Sequence, residues 1–278
     1  MPVHHVHDIE NDLEHTIPPE GGPDSDYLFR VMTARALALL EVAPGDVVVD
    51  LGSGMGQDTL AIASSAPGVV ALGVEPSNRM IRFGQGLASG RFHTHAHMRD
   101  ALASHAHSAP THFLRSFGEE LAIKTGTVDA LLCKGALDHF VDPRLTLAEI
   151  TRVLRPGGRA VIALANYDSL ACRLGRAWDR MRRWWNPAAE IPAHPMYEPP
   201  PDHLTRYGYD SIVALPTEGL RLKWMEGLSL LWGFGPWART VAALPSPLAQ
   251  ALVRAAAVIA KLHPRWADVI VIQMVRRP

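Results

Sequence analysis

Apolar and polar positions along the chain change rhythm several times, and each change marks an element. Leu28, Val31, Met32, Leu39 and Leu40 recur at helical spacing, with Asp24 or Ser25 placed to cap the helix and Pro44-Gly45 placed to stop it. Val47-Val48-Val49 then runs without polar alternation, which predicts a strand covered on both faces of a parallel sheet. A Gly-rich turn leads into a helix at about 58–64, and a second apolar strand follows at 69–74, where a right-handed β-α-β crossover delivers it. Further strands are predicted at 111–116, 128–133 and 160–165. Between them a helix over 145–154 carries Leu147, Ile150, Val153 and Leu154 on one stripe, and Pro156-Gly157-Gly158 then breaks the chain. Strand and helix alternating at this rhythm predict a doubly wound, mostly parallel α/β sheet.

Two regions depart from the rhythm. Residues 1–23 are polar, His-rich and closed by Pro18, Pro19, Gly21, Gly22 and Pro23, the composition of a mobile arm ahead of a single domain over 24–278. From about 167 to 220 the alternation lapses into a stretch rich in Arg, Trp and Pro, read as a helical cap insertion. Segments 221–231 and 268–275 read as two late strands, which fit an antiparallel edge hairpin. A helical insertion at about 235–264, with an apolar helix over 246–262, joins them.

Composition narrows the function classes. With 278 residues, 47% of them apolar and 20% charged, the chain can bury a core without staples, and two cysteines exclude a disulfide scaffold. Cys133 and Cys172 read as free thiols of a reducing compartment. A formal charge of −1 provides no field for a phosphate backbone, so nucleic acid is not an expected partner. The expectation is a soluble, cytoplasmic protein, since the first residues lack an export pattern and apolar runs are interrupted well before a bilayer span.

Chemistry concentrates after the first strand, at Asp50-Leu51-Gly52-Ser53-Gly54-Met55-Gly56. Glycines there let the backbone turn tightly and approach a ligand, and the next helix points its first N–H groups at the same spot, which suits a nucleotide-like cofactor. A dinucleotide fingerprint needs Gly or Ala three places after Gly54, yet that residue is Gln57. A nicotinamide oxidoreductase is therefore disfavoured.

Four motifs in order resemble the class I S-adenosylmethionine-dependent methyltransferases, a Rossmann-like fold. They are Val-Val-Val-Asp-Leu-Gly-Ser-Gly-Met-Gly at 47–56, Gly73-Val74-Glu75-Pro76, Gly118-Glu119-Glu120-Leu121 ahead of Val128-Asp129, and Arg152-Val153-Leu154-Arg155-Pro156-Gly157-Gly158. The resemblance covers about residues 45–166 and implies S-adenosylmethionine as cofactor. It implies that Asp50, Gly52, Ser53 and Gly54 surround the methionine part, and that Glu75, with Pro76 beside it, binds the ribose hydroxyls. A carboxylate at the end of the next strand suits a vicinal diol, as in dinucleotide sites. Many relatives carry an Asp that holds the adenine amino group where this chain has Phe117, so Phe117 is expected to stack on or line the adenine, with the backbone near Gly118 and Glu119 supplying polar contacts.

The same resemblance places residues 134–140 beside the transferred methyl, with Lys134 near the cofactor, Asp138 at the acceptor and His139 as a base. His203 in the cap is a second candidate base, and Tyr207 and Tyr209 are expected to line the acceptor pocket. Both histidines also have plain readings, His139 as a structural residue bonded to backbone and His203 on a surface loop. Methyl transfer to a small or amphiphilic molecule is the leading function. A sensor or partner subunit that binds the cofactor without turnover, and a membrane-surface protein acting through an Arg/Trp helix, remain alternatives. Arg173, Arg176, Arg180, Arg182 and Arg183 alternate with Trp178, Trp184 and Trp185, and the preferred reading packs Trp on the domain and leaves Arg in water. His93, His95, His97, His105, His107 and His112 match no closed metal site and are read as a solvated connection.

Overall fold

A computed structural model describes residues 22–91, 110–188, 190 and 194–278. All but the last two residues of the expected arm, and every histidine of the 93–107 set, lie outside the described residues. The chain runs α1 (Pro23–Leu40), β1 (Val47–Leu51), α2 (Gln57–Ala63), β2 (Val70–Val74), α3 (Asn78–Ala88), β3 (Thr111–Leu114), β4 (Val128–Lys134), α4 (Pro143–Val153) and β5 (Leu154–Ala165). It continues through α5 (Leu170–Trp185), α6 (Tyr209–Val213), β6 (Leu220–Gly227), α7 (Gly235–Ala243), α8 (Ser246–Leu262) and β7 (Val269–Arg276).

One sheet holds all the strands in the order β3-β2-β1-β4-β5-β7-β6. The first five are parallel, and β7 runs antiparallel to both β5 and β6. Alternate residues of the central strands face opposite cores. Val49, Leu131 and Ile162 pack toward Leu147, Ile150 and Val153 of α4, whereas Val48, Leu132 and Val161 pack toward Leu28, Ala36 and Leu40 of α1. Both faces are apolar because both are covered, which is why these strands show no alternation in sequence. The order reverses at β1, whose neighbours lead away in opposite directions, and the crevice beyond the ends of β1 and β4 is the place where such sheets take ligands.

Several local expectations need correction. The N-cap of α1 is Gly22, with Pro23 in the first turn; Asp24 accepts instead from Ser25 N at 3.0 Å. Pro156-Gly157-Gly158 does not separate α4 from the next strand but lies inside β5. Val128 pairs with Leu154 and Ala130 with Arg159, so a register shift absorbs the extra residues and Gly157 takes a left-handed φ of 77°. β6 stops at Gly227, where a Cβ would lie 2.4 Å from Ala267 Cβ and 2.5 Å from Ala260 O.

The glycine at position 56, one place early for a dinucleotide site, has a packing reason. A Cβ on Gly56 or on Gly73 would fall 2.8 Å from the Phe113 ring, and one on Gly84 would fall 2.7 Å from it. Three backbones therefore wall in one phenyl ring, which locks the glycine bend to β2, β3 and α3. Gly84→Ala should lower stability by up to roughly 2 kcal/mol, because overpacking costs about 1–3 kcal/mol and the gain in helix propensity returns about 1. Chemical unfolding of the variant checks this, and a gain in stability would show that the ring has room to move.

Candidate functional site

The glycine bend is tied to the end of β2. Gly52 N and Ser53 N both donate to Val74 O, at 2.8 and 3.1 Å, and Gly54 N donates to Glu75 Oε2 at 3.0 Å. Glu75 Oε1 accepts from Ser77 N at 3.0 Å, just before α3, whose N-cap Ser77 also takes Met80 N. Burial raises the Glu75 carboxyl above its ordinary range, opposed by these two N–H donors. Each of its oxygens retains one further acceptor site. Ser53 Oγ is buried with no hydrogen-bond partner among the described residues. Gly52, Gly54 and Gly56 all have left-handed φ, at 71°, 52° and 78°. Asp50 turns toward α2 and accepts from Thr59 Oγ1 at 2.6 Å. Burial and then the charge of Asp58 push its carboxyl up to about 7.

Beyond β4, a short turn at Leu137–His139 brings acid and imidazole together. Asp138 is buried, and its Oδ2 lies 2.9 Å from His203 Nδ1. Its Oδ1 lies 4.0 Å from His139 Nε2 and has no hydrogen-bond partner among the described residues. His139 Nδ1 faces Asp202 O at 3.2 Å, and the two imidazole rings meet edge to face at 4.4 Å. The irregular run that carries His203 is stitched down by Thr205 N to Asp138 O and by Tyr167 N to Tyr207 O, both at 3.0 Å. Tyr167 Oη adds a longer contact to His203 Nδ1 at 3.4 Å.

Burial alone would raise the Asp138 carboxyl, but the hydrogen bond and charge of His203, with His139 beside it, hold it below the ordinary value. Burial would likewise lower the His203 imidazolium, and the Asp138 hydrogen bond and charge outweigh it, so His203 holds its proton above 6.5. The stability that the acid's shift supplies is complete above 3.8 and is lost as pH falls through its folded value. The histidine's share is complete below 6.5 and is lost as pH rises through its own. Asp138, His139 and His203 offer ligand atoms within 4.8 Å of one another, close enough for a cation, but the 2.9 Å contact has the length of a proton-bearing hydrogen bond.

The bend and this cluster are neighbours, since a Cβ on Gly52 would lie 2.4 Å from Ala136 Cβ, two residues before Asp138. A methyltransferase domain model matches residues 49–162, which hold the glycine bend, Glu75 and the Asp138 turn. Residues 49–162 thus carry a methyltransferase domain, and the chain is similar to the class I methyltransferases. A demethylmenaquinone methyltransferase of Clavibacter sepedonicus is 32% identical over 138 residues, 50% of this chain and 47% of that protein. An uncharacterised methyltransferase of Mycobacterium marinum is 28% identical over 236 residues, 82% of this chain and 69% of that protein. The chain spans less than half the length of the first curated relatives it matches. In fold it is similar to a chain from the complex of the Haloferax volcanii Trm112 methyltransferase activator with a methyltransferase, at TM-score 0.55 and 20% identity over 92% of this chain and 94% of that one.

Around this domain, the residues singled out from the sequence divide into groups. Gly52, Ser53, Gly54 and Glu75 line one bend, with Pro76 next in the chain and accepting from Arg115 Nε at 2.9 Å, and Asp138, His139 and His203 meet in one cluster, with Tyr207 buried nearby and its Oη without a partner among the described residues. Lys134 is committed elsewhere, to Asp58 at 2.5 Å and Thr33 at 2.8 Å, joining β4 to α2 and α1. The Glu119 carboxylate accepts from Asp142 N at 3.1 Å, at the N-cap of α4. Gly118 faces Phe140, whose ring a Cβ there would meet at 3.0 Å, and Phe117 lies partly buried one residue earlier. Tyr167 and Arg206 were missed by sequence reasoning. Arg206 donates to Tyr167 O at 2.9 Å and to Asp168 Oδ1 at 2.8 Å, bracing the cap chain beside His203. The available signal was the position of Tyr167 two residues after the end of β5.

Proposed function

We propose that this methyltransferase holds S-adenosylmethionine against the glycine bend and moves its methyl group to an ionisable O–H or N–H of a small or amphiphilic organic acceptor. The observation that carries the reading is the contact of partly buried His203 with buried Asp138 at 2.9 Å, packed directly behind a bend whose buried Ser53 Oγ has no partner among the described residues. The residues present fit the cofactor. Glu75 keeps two free acceptor sites for a sugar diol, and Ser53 Oγ awaits a partner. When bound, the cofactor supplies a methyl group already activated on a sulfonium.

The chain's own part is then placement and proton handling. Asp138 takes the Nδ1 proton of His203 in a hydrogen bond, which fixes the tautomer and leaves Nε2 as the acceptor of the substrate's proton. His139, at the more exposed side of the cluster, has its Nδ1 on Asp202 O and its Nε2 toward Asp138. Tyr167, Tyr207 and Phe140 supply aromatic walls, which favour an organic acceptor over a peptide tail. A relative named demethylmenaquinone methyltransferase supports a small organic acceptor in general terms.

Calorimetric titration with S-adenosylmethionine, followed by release of S-adenosylhomocysteine across phenol, acid and amine acceptors, tests the reading. Absence of binding would overturn it. With an active acceptor in hand, turnover should rise with pH along a limb above 6.5, since the base must lose its proton. Asp138→Asn should move that limb to lower pH by removing the group that holds the proton. An unmoved limb would assign it to another group.

A further inference from the structure

The first half of α5 is seated and its second half is not. Ala171, Cys172 and Gly175 are buried, the last against Met196 and Tyr197, and Asp179 is held by Tyr197 Oη at 3.1 Å. Beyond Asp179 every described residue of 180–190 is exposed. Leu174, Trp178, Met181 and Trp185 fall on one stripe of the helix, and all are exposed, Trp185 by 76%. Trp184, 78% exposed, stacks edge to face on Trp185 at 5.5 Å instead of on the domain. The expectation that these tryptophans pack inward is thus corrected, because the helix outruns the surface that could cover them.

A second stripe, Arg173, Arg176, Arg180 and Arg183, flanks the apolar one. Arg180 and Arg183 have no ion-pair partner among the described residues, and the nearest acid, Asp179, is already shared between Tyr197 and Arg182. Water is a poor solvent for so many adjacent exposed apolar side chains. Arg173 and Arg176 donate back to Asp168 O and Tyr167 O, but an apolar stripe edged beyond them by Arg180 and Arg183, on a helix too short and too basic to cross a bilayer, matches the interfacial plane of an anionic lipid surface. The aromatic rings fit the acyl boundary and the guanidinium groups fit the phosphates.

We propose that the exposed half of α5 is a peripheral anchor that docks the protein on anionic membranes. The inference does not rest on methyl transfer, and neither stripe includes a residue placed in the candidate site's chemistry. Flotation with phosphatidylcholine vesicles, with and without phosphatidylglycerol, tests it on the full chain. Co-flotation should occur with the anionic vesicles alone and be released by high salt. Arg180→Gln with Arg183→Gln should weaken partitioning roughly fivefold per charge removed, and Trp178→Ser with Trp185→Ser at least about tenfold. Unfolding midpoints should stay near that of the unchanged protein, because the altered side chains are exposed. No co-flotation, or undiminished co-flotation of both variants, overturns the proposal. A concentration-dependent dimer that Trp178→Ser with Trp185→Ser dissolves, without flotation, would assign the stripe to a second copy of the chain and overturn it equally.

Discussion

Glu75→Ala should weaken binding of S-adenosylmethionine by about a hundredfold to ten-thousandfold. Two hydrogen bonds from a sugar diol to a carboxylate are worth roughly 1.5–3 kcal/mol each, and every 1.4 kcal/mol is about tenfold in affinity. Burial sharpens the effect. Glu75 is 5% exposed, and its proton affinity is already raised, so an additional donor has little water to displace and a reluctant charge to satisfy. The variant should also lose stability, because Gly54 N and Ser77 N would lose their acceptor, at about 1–3 kcal/mol for each buried group left unpaired. Calorimetry reads the first effect and thermal unfolding the second. Unchanged affinity in a folded variant would remove Glu75 from the cofactor's reach.

His203→Asn should cut turnover by roughly a hundredfold to ten-thousandfold, the usual contribution of a positioned base, while cofactor affinity changes little. The split between turnover and binding matters more than the size of the loss. His203 sits in the chain that folds over Asp138, not in the glycine bend, so its removal leaves the Glu75 contacts in place. If affinity fell in parallel with turnover, His203 would be holding the fold of the bend. If neither moved, the proton would be leaving by another route, with His139 the next group to change. Asn is preferable to Ala here, since its amide can still donate to Asp138 and spare the buried carboxylate an unpaired charge.

Much of the fold was legible because its signals are local. Unbroken β-branched runs mark strands covered twice, and the bend at 50–56 needs glycine for left-handed φ wherever it is folded. The boundaries that moved did so for non-local reasons. β5 begins at Leu154, because pairing with β4 on one side and β7 on the other carries the strand across a Pro-Gly-Gly step that reads as a stop. The third glycine of the bend has, besides its left-handed φ, a packing reason in Phe113, which arrives from a strand far along the chain.

The sequence by itself determined an alternating α/β sheet, a cofactor-like bend, and an acid one strand later, since periodicity and glycine chemistry act over a few residues. Only the tertiary structure decided that His203 closes on Asp138, that Tyr167 and Arg206 brace that closure, and that Lys134 is spent on Asp58. It alone also left Trp184 and Trp185 in solvent. Each of those facts depends on the path that a connection takes between elements. That path is set by which surfaces remain to be covered after the sheet has formed, a quantity that no local pattern of residues contains.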